Sequence, residues 1–132
     1  MTYCLNAKLA EDTLAVGVLS LCELRLMNNC NVLWLILIPQ RAHLTELLDL
    51  SDADQAQLLL EMNHIGQLLQ KHFPCDKLNI AMLGNVVSQL HVHVIARRFD
   101  DVYFPQAPFG LPGLSYSAEA ASVLVQKLQA VL

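Results

Sequence analysis

The chain has 132 residues, of which 55% are apolar, and it carries a formal net charge of −4. This length suits one domain with a well-developed core, so we expect residues 1–132 to form a single domain. The acidic balance and the lack of a basic run argue against binding to nucleic acid polymers, whereas one small phosphate ligand needs only a few donors.

The apolar content has two interpretations. A mean hydropathy of +0.41 is high for a monomer of this size, whose interior is small. The chain either devotes a large share of its residues to its core or buries apolar surface against another subunit. We favour the second interpretation and expect a homodimer.

The sequence predicts neither a targeting signal nor a membrane span. Lys8, Glu11 and Asp12 interrupt the N-terminal segment, and its apolar run is far too short to cross a bilayer. The cysteines form no CxxC pair and lack the spacing of zinc ligands, which predicts free thiols in a reducing compartment. They are Cys4, Cys22, Cys30 and Cys75. We therefore expect a cytoplasmic protein with no membrane contact.

The first half of the chain predicts strands followed by a long helix. Residues 13–28 alternate apolar and polar positions, which predicts one long strand or two strands with Gly17 as a candidate bulge. Residues 32–38 are apolar on both faces and stop at Pro39, as in a strand at the centre of its sheet or at a subunit interface. Residues 51–73 carry apolar side chains at helical spacing and predict the clearest helix.

The second half predicts a hairpin, a loop and a second helix. Strands are expected at 76–83 and 86–97, with a turn at 84–85. Residues 104–113 hold three of the five prolines and predict a loop whose aromatic residues cover a ligand or a partner subunit. Residues 117–132 predict a helix. Hairpin-joined strands with segregated helices indicate an α+β fold with an antiparallel sheet.

Two histidines lie two residues apart in the predicted strand 86–97. Because side chains alternate along a strand, Gln89, His91 and His93 are expected on one face. The two imidazoles would be about 6–7 Å apart at the backbone, close enough to contact one phosphate or one metal ion.

Three interpretations of these histidines compete. They are ordinary strand histidines satisfied by water, or ligands of a metal site of the cupin kind, or the centre of a phosphoryl or nucleotidyl transfer. A cupin-like site needs another ligand soon after the pair, but Arg97 and Arg98 follow and would repel a cation, so no metal is expected. In the third interpretation one imidazole attacks phosphorus and the other donates to a phosphate oxygen.

The segment 89–95, Gln-Leu-His-Val-His-Val-Ile, resembles the signature of the histidine triad (HIT) family, His-φ-His-φ-His-φ-φ with φ apolar. The segment 32–54 is similar to the family's succession of strand, proline, basic residues, short helix and long helix. The resemblance covers roughly residues 13–98. It implies a HIT-like fold, with about five antiparallel strands, a long helix and a C-terminal helix, assembled as a homodimer.

The resemblance also implies roles for individual residues. His91 matches the family's nucleophile, which attacks the α-phosphate of a nucleotide and forms a nucleotidyl-histidine that water hydrolyses. His93 would hydrogen-bond the phosphate or the leaving group, and no cofactor is implied. Asn85 would contact phosphate, and Asn28 loosely matches a position that contacts ribose hydroxyls. By strand parity, Arg97 shares the face of the histidines and is a candidate phosphate contact.

The chain departs from the family pattern at two positions. Gln89 stands in place of the first triad histidine, and Trp34 stands where the family commonly has a histidine in the upstream strand. Gln89 can still form hydrogen bonds, and its backbone carbonyl can still orient His91, but an amide cannot deliver a proton. Trp34 is expected to pack, with base stacking as the less favoured role.

The expected function is hydrolysis of a nucleoside phosphate derivative through His91. The usual substrates of the family are nucleoside phosphoramidates and dinucleoside polyphosphates. The alternative is a nucleotide-binding or interaction protein in which the changes at Gln89 and Trp34 have removed useful turnover.

Overall fold

The structure, a computed structural model, describes residues 2–132. Its elements are α1 (Ala7–Asp12), β1 (Thr13–Val18), β2 (Cys22–Met27), β3 (Leu33–Pro39), a 3₁₀ turn (Leu47–Asp49), α2 (Asp52–His72), β4 (Lys77–Ala81), β5 (Val92–Arg97) and α3 (Ala118–Val131). The strands form one antiparallel sheet in the order β1-β2-β3-β5-β4. The predicted α+β fold, with a five-stranded antiparallel sheet, a long helix and a C-terminal helix, is confirmed.

The sheet contains the bulge predicted at Gly17. Ala15 pairs with Arg25 and Gly17 pairs with Leu24, so that Val16 is the extra residue on β1. β3 lies between β2 and β5 at the centre of the sheet, which is one of the two positions predicted for a strand that is apolar on both faces.

One face of the sheet packs against the two long helices and forms the main core. Leu58, Ile65 and Leu69 of α2 are at most 1% exposed. Burial of each such side chain contributes about 1.5–3 kcal/mol, which holds α2 against the sheet. Ser51 accepts a hydrogen bond from the amide of Asp54 at 3.1 Å and caps the start of this helix.

The opposite face of the sheet carries a second, smaller apolar cluster. Trp34 of β3 and Ile95 of β5 lie in it, and His93 contacts Trp34 there. Leu9 of α1 and Tyr103, which directly precedes the proline-rich loop, cover part of this face. The remaining part is open and carries the candidate site.

The predicted strand at 86–97 is wrong over its first half. β5 begins only at Val92, and residues 82–91 form an irregular connection after β4. In this connection the amide of Leu90 donates to the carbonyl of Leu44 at 2.9 Å, so the backbone is paired outside the sheet. The alternation of apolar residues continues through the segment 86–91, but its backbone forms no strand hydrogen bonds with the sheet.

No sequence pattern predicts α1. The helix begins after Asn6, whose side-chain oxygen accepts from the amides of Lys8 and Leu9 at 2.8 and 3.4 Å. Its six residues are too few to show a helical period, and Leu9 alone of them is buried. α1 is held by this cap and by Leu9, and it forms one wall of the site.

Candidate active site

A cleft of about 1010 Å³ opens on the face of the sheet that carries Trp34 and His93. Its walls come from α1, the end of β2, the connection 82–91 and residues 108–115, which include the second half of the proline-rich loop. His91 and His93 both line it. A cleft of this size matches the range of small-molecule sites, which extends to about 1,000 Å³.

His91 is held by the backbone two residues before it. Its Nδ1 lies 2.6 Å from the carbonyl oxygen of Gln89. A carbonyl oxygen only accepts, so Nδ1 carries the proton of the neutral ring, and the lone pair of that tautomer lies on Nε2. Nε2 has no hydrogen-bond partner among residues 2–132. The arrangement holds the ring so that Nε2 is the nitrogen that presents a lone pair at the wall of the cleft.

His93 is held by Trp34. The indole Nε1 donates to Nδ1 of His93 at 2.9 Å, and an indole nitrogen can only donate. Nδ1 is therefore unprotonated, and the proton of the neutral ring lies on Nε2. Burial, followed by the neighbouring His91, lowers the pKa of His93 to about 4. His93 is thus a neutral hydrogen-bond donor at physiological pH.

Aromatic packing surrounds the second histidine. The ring centroid of His93 lies 5.5 Å from that of Trp34, 4.8 Å from that of Phe109 and 4.9 Å from that of His91, all in edge-on arrangements. Phe109 also contacts Trp34 at 5.4 Å. The proline-rich loop therefore reaches the site, which agrees with the first of its two predicted roles, to cover a ligand or to cover a partner subunit.

The side chain of Gln89 is bonded to the N-terminal segment and not to the histidines. Its Oε1 accepts from the amide of Asn6 at 2.9 Å, and its Nε2 donates to the carbonyl of Cys4 at 2.9 Å. The prediction that Gln89 shares a strand face with His91 and His93 is wrong, because residue 89 precedes the strand. The backbone carbonyl of Gln89 orients His91, whereas the amide fastens the N-terminal segment to the connection 82–91.

The two predicted asparagines both line the cleft. Asn85 is exposed on the connection 82–91. Asn28 follows β2, and its Oδ1 accepts from the amide of Tyr116 at 2.9 Å. Its backbone amide donates to the carbonyl of Asp12 at 3.0 Å. Asn28 therefore joins α1, β2 and the segment before α3 at the wall of the cleft, and its side-chain nitrogen has no hydrogen bond to another residue of 2–132.

Arg97 does not reach the cleft. Its side chain is fully buried, and its Nε and Nη2 donate to the carboxylate of Asp101 at 2.9 and 3.0 Å. Its Nη1 donates to Asn79 at 2.9 Å. The predicted face is correct, but the predicted phosphate contact is wrong, because these partners occupy the guanidinium. Burial alone would raise the pKa of Asp101, but hydrogen bonds from Arg97 and from backbone amides outweigh it and lower that pKa.

Three features of the site have only weak sequence signals. Trp34 is expected to pack, yet its indole also fixes the tautomer of His93. This contact arises because β3 pairs with β5, which brings Trp34 opposite Ile95 and diagonal to His93. α1 contributes a wall that no local pattern predicts, and Phe109 contributes one that the sequence left open between a ligand and a partner subunit. Among residues 2–132, no group of three or more His, Cys, Asp or Glu side chains is placed to hold a metal ion.

The fold and the paired imidazoles define a protein of the histidine triad class. The HIT domain family model matches residues 9–100. A histidine triad protein from Sinorhizobium meliloti 1021 is 39% identical, with a TM-score of 0.95 over 99% of this chain and 98% of that one. One from Bradyrhizobium japonicum is 37% identical, with a TM-score of 0.94 over 98% of each chain.

A histidine triad protein from Marinobacter aquaeolei VT8 is 34% identical, with a TM-score of 0.97 over 100% of this chain and 97% of that one. No curated protein matches the chain by sequence. The chain belongs to the HIT family, as the resemblance of its histidine segment predicts.

Proposed function

We propose that this protein binds a nucleotide phosphate in the cleft and hydrolyses a nucleoside phosphate derivative through His91. The substrates considered are dinucleoside polyphosphates and nucleoside phosphoramidates, and the intermediate is a nucleotidyl-histidine. One observation carries the proposal: the 2.6 Å hydrogen bond from Nδ1 of His91 to the carbonyl of Gln89 leaves Nε2 as a free nucleophile.

Each group at the site has a task in this mechanism. Nε2 of His91 attacks the α-phosphorus, and the positive charge that develops on the ring is stabilised by the Gln89 carbonyl. His93 donates its Nε2 proton in a hydrogen bond to a phosphate oxygen. Asn85 and Asn28, which both line the cleft, add amide donors. Water then attacks phosphorus and releases the mononucleotide.

The apolar part of the cleft suits a nucleobase. Leu9, Met27, Val87 and Phe109 line it, on the side of the sheet opposite the main core. Lys8 and Asp12 of α1 also line the cleft. A base held among the apolar side chains would place the ribose near Asn28.

The alternative is a nucleotide-binding or interaction protein with little turnover. The observation that favours it is the position of Gln89, whose amide is bonded to the backbone of Cys4 and Asn6. No proton donor stands in place of the first triad histidine.

Incubation with a nucleoside phosphoramidate and with a dinucleoside polyphosphate separates the two functions. We expect mononucleotide as product. Mass spectrometry after an alkaline quench should find the nucleotidyl group on the peptide that contains His91. Tight binding of nucleotide with no mononucleotide released from either compound would establish the alternative instead.

We also propose that the protein is a homodimer. β4 is an edge strand, and exposed apolar side chains lie on it and along the connection 82–91. They are Ile80, Met82, Leu83 and Val86. Ile80→Lys combined with Val86→Asp should convert the protein from dimer to monomer in light scattering. Leu48→Lys, at an exposed leucine of the 3₁₀ turn, should leave the dimer intact. A wild-type protein that is monomeric at assay concentrations would contradict this proposal.

The cysteines support a cytoplasmic location, which we propose for this protein. All four are free: Cys22 is buried, Cys75 is half-buried, and Cys4 and Cys30 are exposed. A reducing compartment keeps such thiols from oxidation. No helix within residues 2–132 has the length and apolar character needed to cross a membrane.

A further inference from the structure

We propose, on the basis of the function above, that the leaving group departs from the α-phosphorus without a proton from the protein. The site then selects nucleoside phosphate derivatives whose leaving group is a weakly basic oxyanion over those that must release an amine or a basic alkoxide. The residues that impose this selection are Gln89, His93 and Trp34.

Gln89 delivers no proton to the leaving group. Its side chain is an amide, which does not titrate, and both of its polar atoms are bonded to the backbone of Cys4 and Asn6 at 2.9 Å. Its only contact with the histidines is through the backbone carbonyl.

His93 is held in a form that donates a hydrogen bond but no proton. The imidazolium form needs hydrogens on both ring nitrogens, and a hydrogen on Nδ1 would meet the indole hydrogen of Trp34 across a 2.9 Å separation. Trp34 and Phe109 also exclude the water that would solvate a cation. The lowered pKa of His93 agrees with this geometry. Trp34 is a positioning residue that acts through His93.

The remaining titratable groups of the cleft stand on α1. They are Lys8, Glu11 and Asp12. Lys8 is the one cation among them, and its Nζ lies 3.0 Å from the carboxylate of Asp12. The hydrogen bond to Asp12 and the charge of Asp12 raise the pKa of Lys8, so the ammonium holds its proton more firmly. None of these three side chains has a hydrogen bond to His91 or His93, and the one cation among them is held by Asp12.

The reaction balances without an acid. The lone pair of His91 Nε2 forms a bond to phosphorus as the bond to the leaving oxygen breaks, and that oxygen keeps the bonding pair. The Nδ1 proton stays on the ring, shared with the Gln89 carbonyl, so the imidazole in the intermediate is cationic. Water then bonds to phosphorus, the P–N electron pair returns to Nε2, and the proton of water passes to solvent.

Aryl esters of nucleotides test this inference because they vary the leaving group alone. The 4-nitrophenyl and phenyl esters of adenosine 5′-phosphate, and the same pair from guanosine, share the nucleotide and differ in the basicity of the phenolate. Phenol has a pKa of about 10, like tyrosine, and 4-nitrophenol is far more acidic. Release of the phenol in a single turnover reports the first step only.

We expect the 4-nitrophenyl ester to react at least about 100-fold faster than the phenyl ester, because general acid catalysis, worth about 10²–10⁴-fold, is missing for the basic leaving group. A ratio within about tenfold would overturn the inference while leaving the proposed function in place. No release from any of the four esters would overturn the proposed function itself.

Trp34→Phe tests the part assigned to the indole. The variant frees Nδ1 of His93 to take a proton, so the ratio of the two rates should fall by about tenfold or more, most strongly below neutral pH. A merely structural loss would lower both rates together and leave the ratio unchanged, which would overturn the role of Trp34. The wild-type ratio tests the main inference even if this variant does not fold.

Discussion

His91→Asn should abolish nucleotide release from every substrate while nucleotide binding persists. Removal of a covalent nucleophile commonly costs several orders of magnitude, and we expect a fall in kcat of at least about 10³-fold. Asparagine keeps a short side chain whose amide still donates to the Gln89 carbonyl, so the connection 82–91 should keep its shape. Single-turnover assays and nucleotide titrations on the same preparation measure the two effects.

His72→Asn is the matched control. His72 ends α2, is exposed, and lies outside the cleft. Its replacement should leave both kcat and nucleotide affinity unchanged. If His91→Asn retained more than about a tenth of the wild-type kcat, water would be attacking phosphorus directly, and the covalent intermediate would have to be abandoned.

Arg97→Met should destabilise the protein by about 3–5 kcal/mol, because it leaves the carboxylate of Asp101 buried without its partner. The Arg97 side chain is fully buried and that of Asp101 is 4% exposed. Urea unfolding measures the change, and methionine keeps most of the buried volume. The pKa of Asp101 is lowered in the folded state, so its contribution is present above the ordinary carboxyl range and is lost as the pH falls. The difference in unfolding free energy between Arg97→Met and wild type should therefore become smaller in acid.

Arg98→Met provides the comparison on the same strand end. Arg98 pairs with Asp100 at 2.8 Å, but both side chains are more than half exposed, so its loss should cost less than about 1 kcal/mol. If Arg97 bound a substrate phosphate instead, Arg97→Met would weaken nucleotide binding and leave the unfolding free energy near that of Arg98→Met. That outcome would contradict the structural role.

Local sequence signals predict the elements that depend on local physics. The starts of α2 and α3 follow from Ser51 and Ser117. The side chain of each serine accepts a hydrogen bond from the backbone amide three residues later and caps the helix. β3 is predicted at the centre of the sheet or at a subunit interface because both of its faces are apolar, and the structure places it at the centre. The histidine segment predicts the family because the spacing of its residues is specific.

The remainder depends on contacts between distant parts of the chain. Alternation in the segment 86–91 indicates a strand, but the backbone of Leu90 pairs with Leu44 instead. The partners of the Arg97 guanidinium are Asp101 and Asn79, which no local pattern identifies. The hydrogen bond from Trp34 to His93 depends on the pairing of β3 with β5. The chemistry of a side chain limits which groups it can bind, but the tertiary structure decides which of those groups lies next to it.

The amide of Gln89 ties the beginning of the chain to its reactive centre. The side chain of Gln89 forms hydrogen bonds with the backbone of Cys4 and Asn6. The backbone carbonyl of the same residue accepts the hydrogen bond that fixes the tautomer of His91. Displacement of the segment that carries Cys4 and Asn6 would therefore loosen the restraint on the nucleophile. Fusions or truncations at this end of the chain would perturb chemistry as well as stability.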